Sequence, residues 1–452
     1  TQSANTTVAF ANTEGNTDTV YLVRTKDDTT TARTITWPSG LVWNGGTEPT
    51  LVTNAGGADL EGQVFKLTTR DNGATWYGVE TFNLDMLQSY SLWAWGYNPN
   101  GMLGQNNEVR YSSPVQVPGN WSKLDNANYG ATGGTAIRND KKLWTWGNNN
   151  FGQLAQNNLT QRSSPVQIPG DYTNISWSYN TVSAIKTDGT LWAWGSNSGG
   201  MLGQNDGVNA HRSSPVQVGA GTDWAQGRHA IYNTNSTFTA VKTDGTLWSW
   251  GSGTWGQLGL NQAEAQLPGA SSPTQIPGTT WSGVSGGNSY FVATKTDNTL
   301  WTWGRNNKGQ LGQNNITNYS SPVQIPGTTW NITEVAGAVA VISAFKTDGT
   351  LWGWGDNING ALGQNQAPAQ LAGYSSPVQL SGTTWNQIAT YDDGGRLATR
   401  SDGTAWTWGN NANGGLGLNN KTYYSSPVQI PGTNWTGDIT GKSTSFYALR
   451  TS

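Results

Sequence analysis

The stretch SAIKTDGTLWAWGSNSGGMLGQN, residues 183–205, decides the fold. Asp188-Gly189 is a hairpin signal, and a type I′ turn with positive φ at both residues would join the flanking segments as antiparallel strands. Side chains alternate across a strand, so Trp192 and Trp194 share one face of the outgoing strand while Leu191 and Ala193 share the other. Both faces then carry apolar groups, and both need cover.

The stretch is one copy of a repeat. Leu/Ala-Trp-x-Trp-Gly occurs at 92–96, 143–147, 191–195, 247–251, 300–304, 351–355 and 405–409, with second tryptophans spaced by 51, 48, 56, 53, 51 and 54 residues. Each copy is followed by a Gly-x-Leu-Gly/Ala-x-Asn element, such as GMLGQN (101–106) or GGLGLN (414–419), then by Ser-Ser-Pro, then by a strand such as AIKTD (184–188). A period near 50 with several short β segments per unit suits a propeller blade. The residue between the tryptophans is small throughout: Ala94, Thr145, Ala193, Ser249, Thr302, Gly353 and Thr407. A small residue behind a large one lets close-packed layers interdigitate. Fourteen exposed tryptophans would form an apolar patch far beyond what soluble proteins tolerate. Burying each contributes about 4–6 kcal/mol as an upper bound. Both indoles of every pair are therefore expected between blades.

The array starts at Leu92 with an outgoing strand that lacks its partner and ends at FYALRTS (446–452), an incoming strand without its turn. Pairing the two would complete a blade and remove free edges. The expected fold is all-β: a seven-bladed β-propeller over 89–452, closed by pairing of its C-terminal and first-repeat strands, preceded by a small β-module over 1–88.

Composition narrows the function. Charged residues are 11% of 452 and the net charge is −3, so no cationic face is available for nucleic acid. The chain has no cysteine, which excludes disulfides, thiol nucleophiles and cysteine metal sites. No apolar run approaches the length of a membrane-spanning helix. The chain opens at Thr1, and whether a leader precedes it is left open.

The segments WGNNNFGQL (146–154) and WGRNNKGQLG (303–312) resemble the repeats of the regulator of chromosome condensation family, and the resemblance runs from Leu92 to Ser452. It implies the propeller fold. The family's founding member is a nucleotide-exchange factor that also binds chromatin, but no dedicated insertion suited to an exchange wedge and no basic face occur here. In the first 88 residues, alternating runs at 19–23, 34–37, 64–69 and 75–80 read as strands. There ITWPSGLVWNGGTEPTL (35–51) and TTRDNGATWYG (68–78) are similar to modules of tail fibres and other virion proteins of marine bacteriophages. TRDNGATW (69–76) also resembles the Asp-box of sialidases, which implies that Asp71 and Trp76 hold a turn remote from any catalysis.

Catalytic chemistry finds little support. His211 and His229 lie in one repeat without metal-ligand spacing, and Glu108, Glu264 and Glu334 fall in different blades, although glycoside hydrolysis needs two carboxylates about 5–10 Å apart. Asp140, Asp188, Asp244, Asp297, Asp348 and Asp402 sit at the hairpins, and Asp392 and Asp393 are expected to point apart on a strand. No catalytic residue, metal or cofactor is expected.

Two sets of residues are candidates for binding. A cation precedes each hairpin, Arg138, Lys186, Lys242, Lys295, Lys346 and Arg400, with Arg450 matching them at the chain end. This ring either holds an anion or pairs locally with the turn aspartates, an exposed pairing worth about 0–1 kcal/mol. The residue before Ser-Ser is Tyr or Arg in most copies: Tyr111, Arg162, Arg212, Tyr319, Tyr374 and Tyr424, with His211 and Tyr423 beside them. Such residues either recognise a ligand or cap the adjacent blade, and the unequal loop lengths favour recognition.

The main functional expectation is a non-enzymatic structural or adhesion protein on a bacteriophage virion surface, as tail fibre, spike or head decoration. Its N-terminal module would attach to other virion proteins and its propeller loops to a host-surface glycan or protein. Nucleic acid and membrane insertion are not expected, and a homo-oligomer is compatible. Two alternatives stand: an intracellular protein-interaction hub or exchange factor of the chromosome-condensation type, and a virion-borne glycan depolymerase.

Overall fold

A computed structural model describes residues 6–7, 18–25, 35–36, 41–43, 62–69, 76–83, 90–125, 130–206, 209–262, 267–337, 340–366, 370–382 and 384–451. The chain divides into two compact units, Thr1–Ser89 and Tyr90–Ser452. The first holds β1 (Thr6–Thr7), β2 (Asp18–Thr25), β3 (Ile35–Thr36), β4 (Leu41–Trp43), β5 (Gly62–Thr69) and β6 (Trp76–Asn83). Strands β2, β5 and β6 run antiparallel with β4 added parallel to β6, and β1 pairs parallel with β3. The turn around Asp71 lies outside the described residues.

The second unit opens with β7 (Tyr90–Gly96), β8 (Tyr111–Leu124), β9 (Gly133–Arg138), β10 (Leu143–Gly147) and β11 (Arg162–Ile168). Four-stranded antiparallel sheets follow in chain order. The first holds β12 (Tyr172–Ser178), β13 (Thr181–Lys186), β14 (Leu191–Gly195) and β15 (Arg212–Gln217). The next holds β16 (Ile231–Asn233), β17 (Thr237–Val241), β18 (Leu247–Ser252) and β19 (Gly269–Ile276). Then come β20 (Trp281–Gly287), β21 (Tyr290–Lys295), β22 (Leu300–Gly304) and β23 (Tyr319–Ile325). These are followed by β24 (Trp330–Gly337), β25 (Val341–Lys346), β26 (Leu351–Asp356) and β27 (Gly373–Gln379). The last of these sheets holds β28 (Trp385–Thr390), β29 (Arg396–Arg400), β30 (Ala405–Gly409) and β31 (Tyr424–Ile430). The chain ends with β32 (Ile439–Lys442) and β33 (Ser445–Thr451).

The terminal strands join the opening ones in one seven-stranded sheet, ordered β11, β10, β9, β8, β7, β33, β32. The long β8 serves two four-stranded groups: its first half pairs with β7 and its second half with β9. Strand β33 lies antiparallel to β7 from Ser445 opposite Gly96 to Thr451 opposite Tyr90.

Hydrophobic clusters lie between successive sheets. Trp194 packs with Leu143, Leu154 and Trp177 on the side of the preceding blade, whereas Leu191 and Ala193 pack with Leu202 and Trp250 toward the next. The two faces of the motif strand are thus both used, as the alternation requires. The indoles differ in depth, however. The second is fully buried in every copy, at Trp95, Trp146, Trp194, Trp250, Trp303, Trp354 and Trp408, while the first is only half-buried. The expectation that both indoles of a pair are core holds for the second alone.

The hairpin also differs from the two-residue turn read from Asp-Gly. The Gly189 N–H donates to Lys186 O at 3.0 Å and the Lys186 N–H to Thr190 O at 2.9 Å, so Thr187, Asp188 and Gly189 form a three-residue loop. Only Gly189, at φ 78°, is left-handed. This is a type I turn followed by a glycine bulge, and it frees the Asp188 side chain for another task.

Candidate interaction surfaces

Each blade is tied to the next through its loop. The asparagine that ends the Gly-x-Leu-Gly/Ala-x-Asn element is left-handed, at φ 53–57°, in all copies: Asn106, Asn157, Asn205, Asn261, Asn314, Asn365 and Asn419. Asparagine tolerates that conformation better than most residues. Its backbone N–H donates to a Ser-Ser-Pro carbonyl of the following blade, at Ser163, Ser213, Ser271, Ser320, Ser375, Ser425 and finally Ser112. The approach is close: a Cβ on Gly309 would lie 2.7 Å from Ser375 Cα. The second indole adds another link, as Trp303 Nε1 donates to Gln257 O at 2.9 Å and Trp354 Nε1 to Gln310 O at 2.9 Å.

A buried asparagine clasps the variable loop in most blades. Asn306 Nδ2 donates to Asn315 O and Thr317 O, and its Oδ1 accepts from Leu311 N. Asn98, Asn149, Asn357 and Asn411 do the same in their blades. The tips beyond these clasps carry apolar side chains into solvent: Ile316 is 66% exposed, Leu159 60%, Val109 57% and Tyr423 49%. In one blade Gly253 takes the asparagine's place, and the neighbouring Trp255 is 41% exposed under the Arg305 guanidinium.

At the other end of the motif strand an aspartate, a threonine and the first indole are joined in series. Trp352 Nε1 donates to Thr350 Oγ1 at 2.9 Å, and Thr350 Oγ1–H donates to Asp348 Oδ1 at 2.6 Å. The same series links Asp188, Thr190 and Trp192, and recurs at Asp244, Asp297 and Asp402. The threonine hydroxyl and amide hold each of these carboxyls below the usual range. Trp93 uses Ser91 Oγ instead.

Four segments, 140–183, 244–294, 297–340 and 402–440, match the Regulator of chromosome condensation (RCC1) repeat, and a second description of that repeat matches 281–310. The chain is similar to this repeat in those segments. It is 25% identical to the ultraviolet-B receptor UVR8 of Arabidopsis thaliana over 72% of this chain and 74% of that protein. The mitochondrial RCC1 domain-containing protein RUG3 of the same plant is 27% identical, over 41% of this chain and 43% of its own length. The structure of Prp20p from Saccharomyces cerevisiae superposes with a TM-score of 0.70 at 17% identity, covering 81% of this chain and 94% of that one. That protein is described by its binding to Gsp1p and histones. These similarities support the interaction-hub alternative better than the virion reading.

The cations before the hairpins neither form salt bridges with the turn aspartates nor gather into one cluster. Each lies against two aromatic rings of its own blade. The Lys295 ammonium is 4.6 Å from both the Trp281 and Trp301 ring centres, and Arg400 stands 4.3 and 4.4 Å from Trp385 and Trp406. Arg138, Lys186, Lys242, Lys346 and Arg450 occupy the same place. The first indole is half-buried because the cation covers its outer face, a contact worth about 0.5–2 kcal/mol.

The residues before Ser-Ser are loop anchors. Tyr111, Tyr319 and Tyr424 accept from Asn107, Asn315 and Asn420 of their own loops, and these tyrosines and Tyr374 pack on the blade core. Arg212 pairs with Asp206 at 2.6 Å, Arg162 is exposed, and His211 Nδ1 accepts from Asn197 N while its ring meets Phe151 edge-on.

Asp392 and Asp393 lie in the turn between β28 and β29, since Gly394 at φ 91° breaks the strand read from the sequence. Asp392 Oδ1 accepts from Gly130 N at 2.7 Å, and burial raises its carboxyl to about 8. Among the described residues no three His, Cys, Asp or Glu side chains are placed to hold a metal; Glu264 lies outside them. Lys442 and Asp125 form a fully buried pair at 2.6 Å, and Arg228 meets Asp438 at 3.1 Å. Neither pair was readable from spacing, since their members come from different repeats.

Proposed function

We propose that this chain is a binding protein without catalysis, whose propeller presents its pinned loops to other proteins as an interaction hub of the RCC1 type. One observation carries the reading. The backbone frame of seven Asn-to-Ser bonds is constant, whereas the tips it holds out vary in length and end in exposed Val109, Leu159, Ile316, Tyr423 and Trp255. Exposed apolar groups on a rigid frame favour protein contact, because little ordering entropy opposes binding. The relatives' descriptions, Gsp1p and histone binding for Prp20p, support a protein partner.

The test places a benzophenone amino acid at Leu159, at Ile316 and, as a control, at Ser401 in the β29–β30 hairpin. Illumination in cell extract should give protein adducts at the two loop positions and few at Ser401. A panel of small GTPases loaded with labelled nucleotide asks in parallel whether the chain accelerates release. Glycan-array binding with no protein adduct from either loop position would overturn the reading.

A further inference from the structure

A cleft of about 340 Å³ opens where the β20–β23 blade meets the β24–β27 blade, walled by Ile325, Pro326, Trp330, Lys346, Trp352 and Pro377. Its one full charge is the Lys346 ammonium, 4.0 Å from the Trp352 ring centre and 5.3 Å from that of Trp330. Elsewhere in the ring the cation leans on the glycine of the turn that precedes its blade. A Cβ on Gly278 would meet Lys295 Nζ at 3.7 Å, on Gly382 Arg400 Nη2 at 3.3 Å, and on Gly119 Arg138 Nη2 at 3.0 Å. On Gly327 it would meet only Trp330 Nε1, at 3.6 Å. Lys346 therefore stays clear of Gly327, and the cleft opens beside it.

The β16–β19 blade shows what such a cation accepts. There Asp223, the residue before Trp224, sets Oδ2 at 3.0 Å from Lys242 Nζ. Before Trp330 stands Thr329, which is neutral, and among the described residues Lys346 makes no salt bridge, Asp348 acting on it only through space. Asp171, in the same place before Tyr172, is engaged by Lys142. An ammonium partly desolvated by two indoles gains from a carboxylate more than a hydrated one does.

Building on the interaction-hub reading, we infer that this cleft receives an acidic, proline-containing segment of a partner protein. A glutamate carboxylate of that segment meets Lys346, and its extended backbone lies along Ile325, Pro326 and Pro377. Aromatic and proline walls suit a polyproline-type chain, which is preordered and has few donors to leave unsatisfied. An acidic sugar fits less well, because Lys346 already covers the Trp352 face on which a sugar ring would stack.

The probe is a peptide of four Glu-Pro repeats, titrated into the full chain by calorimetry and tryptophan fluorescence, beside its Gln-Pro counterpart and an oligogalacturonate. The Glu-Pro peptide should bind at one site per chain, at least tenfold tighter than Gln-Pro, and weaken with salt. Thr329→Asp, which copies Asp223, should reduce that affinity at least tenfold without lowering the melting temperature, and Lys346→Gln should do the same. Thr280→Asp, at the matching position of the neighbouring repeat, should leave it unchanged. Equal affinity for Gln-Pro, undiminished binding by Thr329→Asp, or binding of oligogalacturonate alone would overturn the proposal. Loop adducts that persist in Thr329→Asp while the peptide fails to bind wild type would remove this site and leave the hub reading intact.

Discussion

The Asn419 N–H donates to Ser112 O at 2.8 Å, across 307 residues of chain. It is chemically the same bond that Asn314 makes to Ser375 one blade away. The contact between the last repeat and the first is thus built from the standard inter-blade parts, and the β33–β7 pairing adds a full strand to it. Deleting residues 445–452 should strip the edge of β7 and leave Leu92, Ala94 and Trp146 short of their Tyr447 and Leu449 neighbours. The expected outcome is a broad thermal transition with aggregation, read by calorimetry and light scattering, because an unpaired edge recruits other chains. A sharp, reversible transition at the wild-type temperature would contradict the assignment.

The two indoles of a motif should differ sharply on truncation. Trp303 is fully buried against the preceding blade, so Trp303→Ala should lose about 3–5 kcal/mol. Trp301 is half-buried under Lys295, and Trp301→Ala should lose about 1–2 kcal/mol, mostly the cation contact and its hydrogen bond. Urea unfolding of the two variants gives the comparison directly.

Thr350→Val keeps the shape of the hairpin and removes the hydroxyl between Asp348 and Trp352. A loss of about 0.5–1.5 kcal/mol is expected. Because the threonine lowers the aspartate's pKa in the folded state, the associated stability is present above the unfolded carboxylate pKa and fades as pH falls through the lower folded value. Thr350→Val should therefore flatten the acid limb of the stability profile, measured by denaturation from mildly acidic to strongly acidic buffer.

Asp392 works in the opposite sense. Burial raises its folded pKa from 3.8 to about 8, so between those values the folded state holds a proton that the unfolded state has released. Stability should then fall as pH rises across this window and level off above it. Asp392→Asn retains an acceptor for Gly130 N and should remove that part of the slope, leaving the neutral-pH stability equal to or above wild type.

The repeat, the strand pairs and the buried second indole were legible because each is written once per fifty residues or so in the same letters. Depth was not. A period of two tells which face Trp192 and Trp194 share, but not that Trp192 lies far enough out to be covered by Lys186. The turn type was hidden for a related reason: Asp-Gly occurs in two-residue hairpins and also at the end of a three-residue loop. The place of the cations over the indoles was not legible, since no spacing in the sequence sets a lysine's distance from a ring on another strand. The loop clasp was available, since the Asn in Trp-Gly-x-Asn recurs in six of the seven copies, but its partners nine and eleven residues on are visible only in space. The Arg228–Asp438 contact joins residues 210 positions apart and leaves no trace in any single repeat.

Asn357 holds Gln366 O and Leu371 O, whereas Asn306 holds Asn315 O and Thr317 O. The longer loop meets its clasp at the same first carbonyl and a later second one, so the clasp closes loops of different length. Length is thereby uncoupled from the scaffold: a foreign peptide spliced between Gln366 and Leu371 would inherit a ready-made closure, and diversification of these segments can proceed without renegotiating the rest of the molecule.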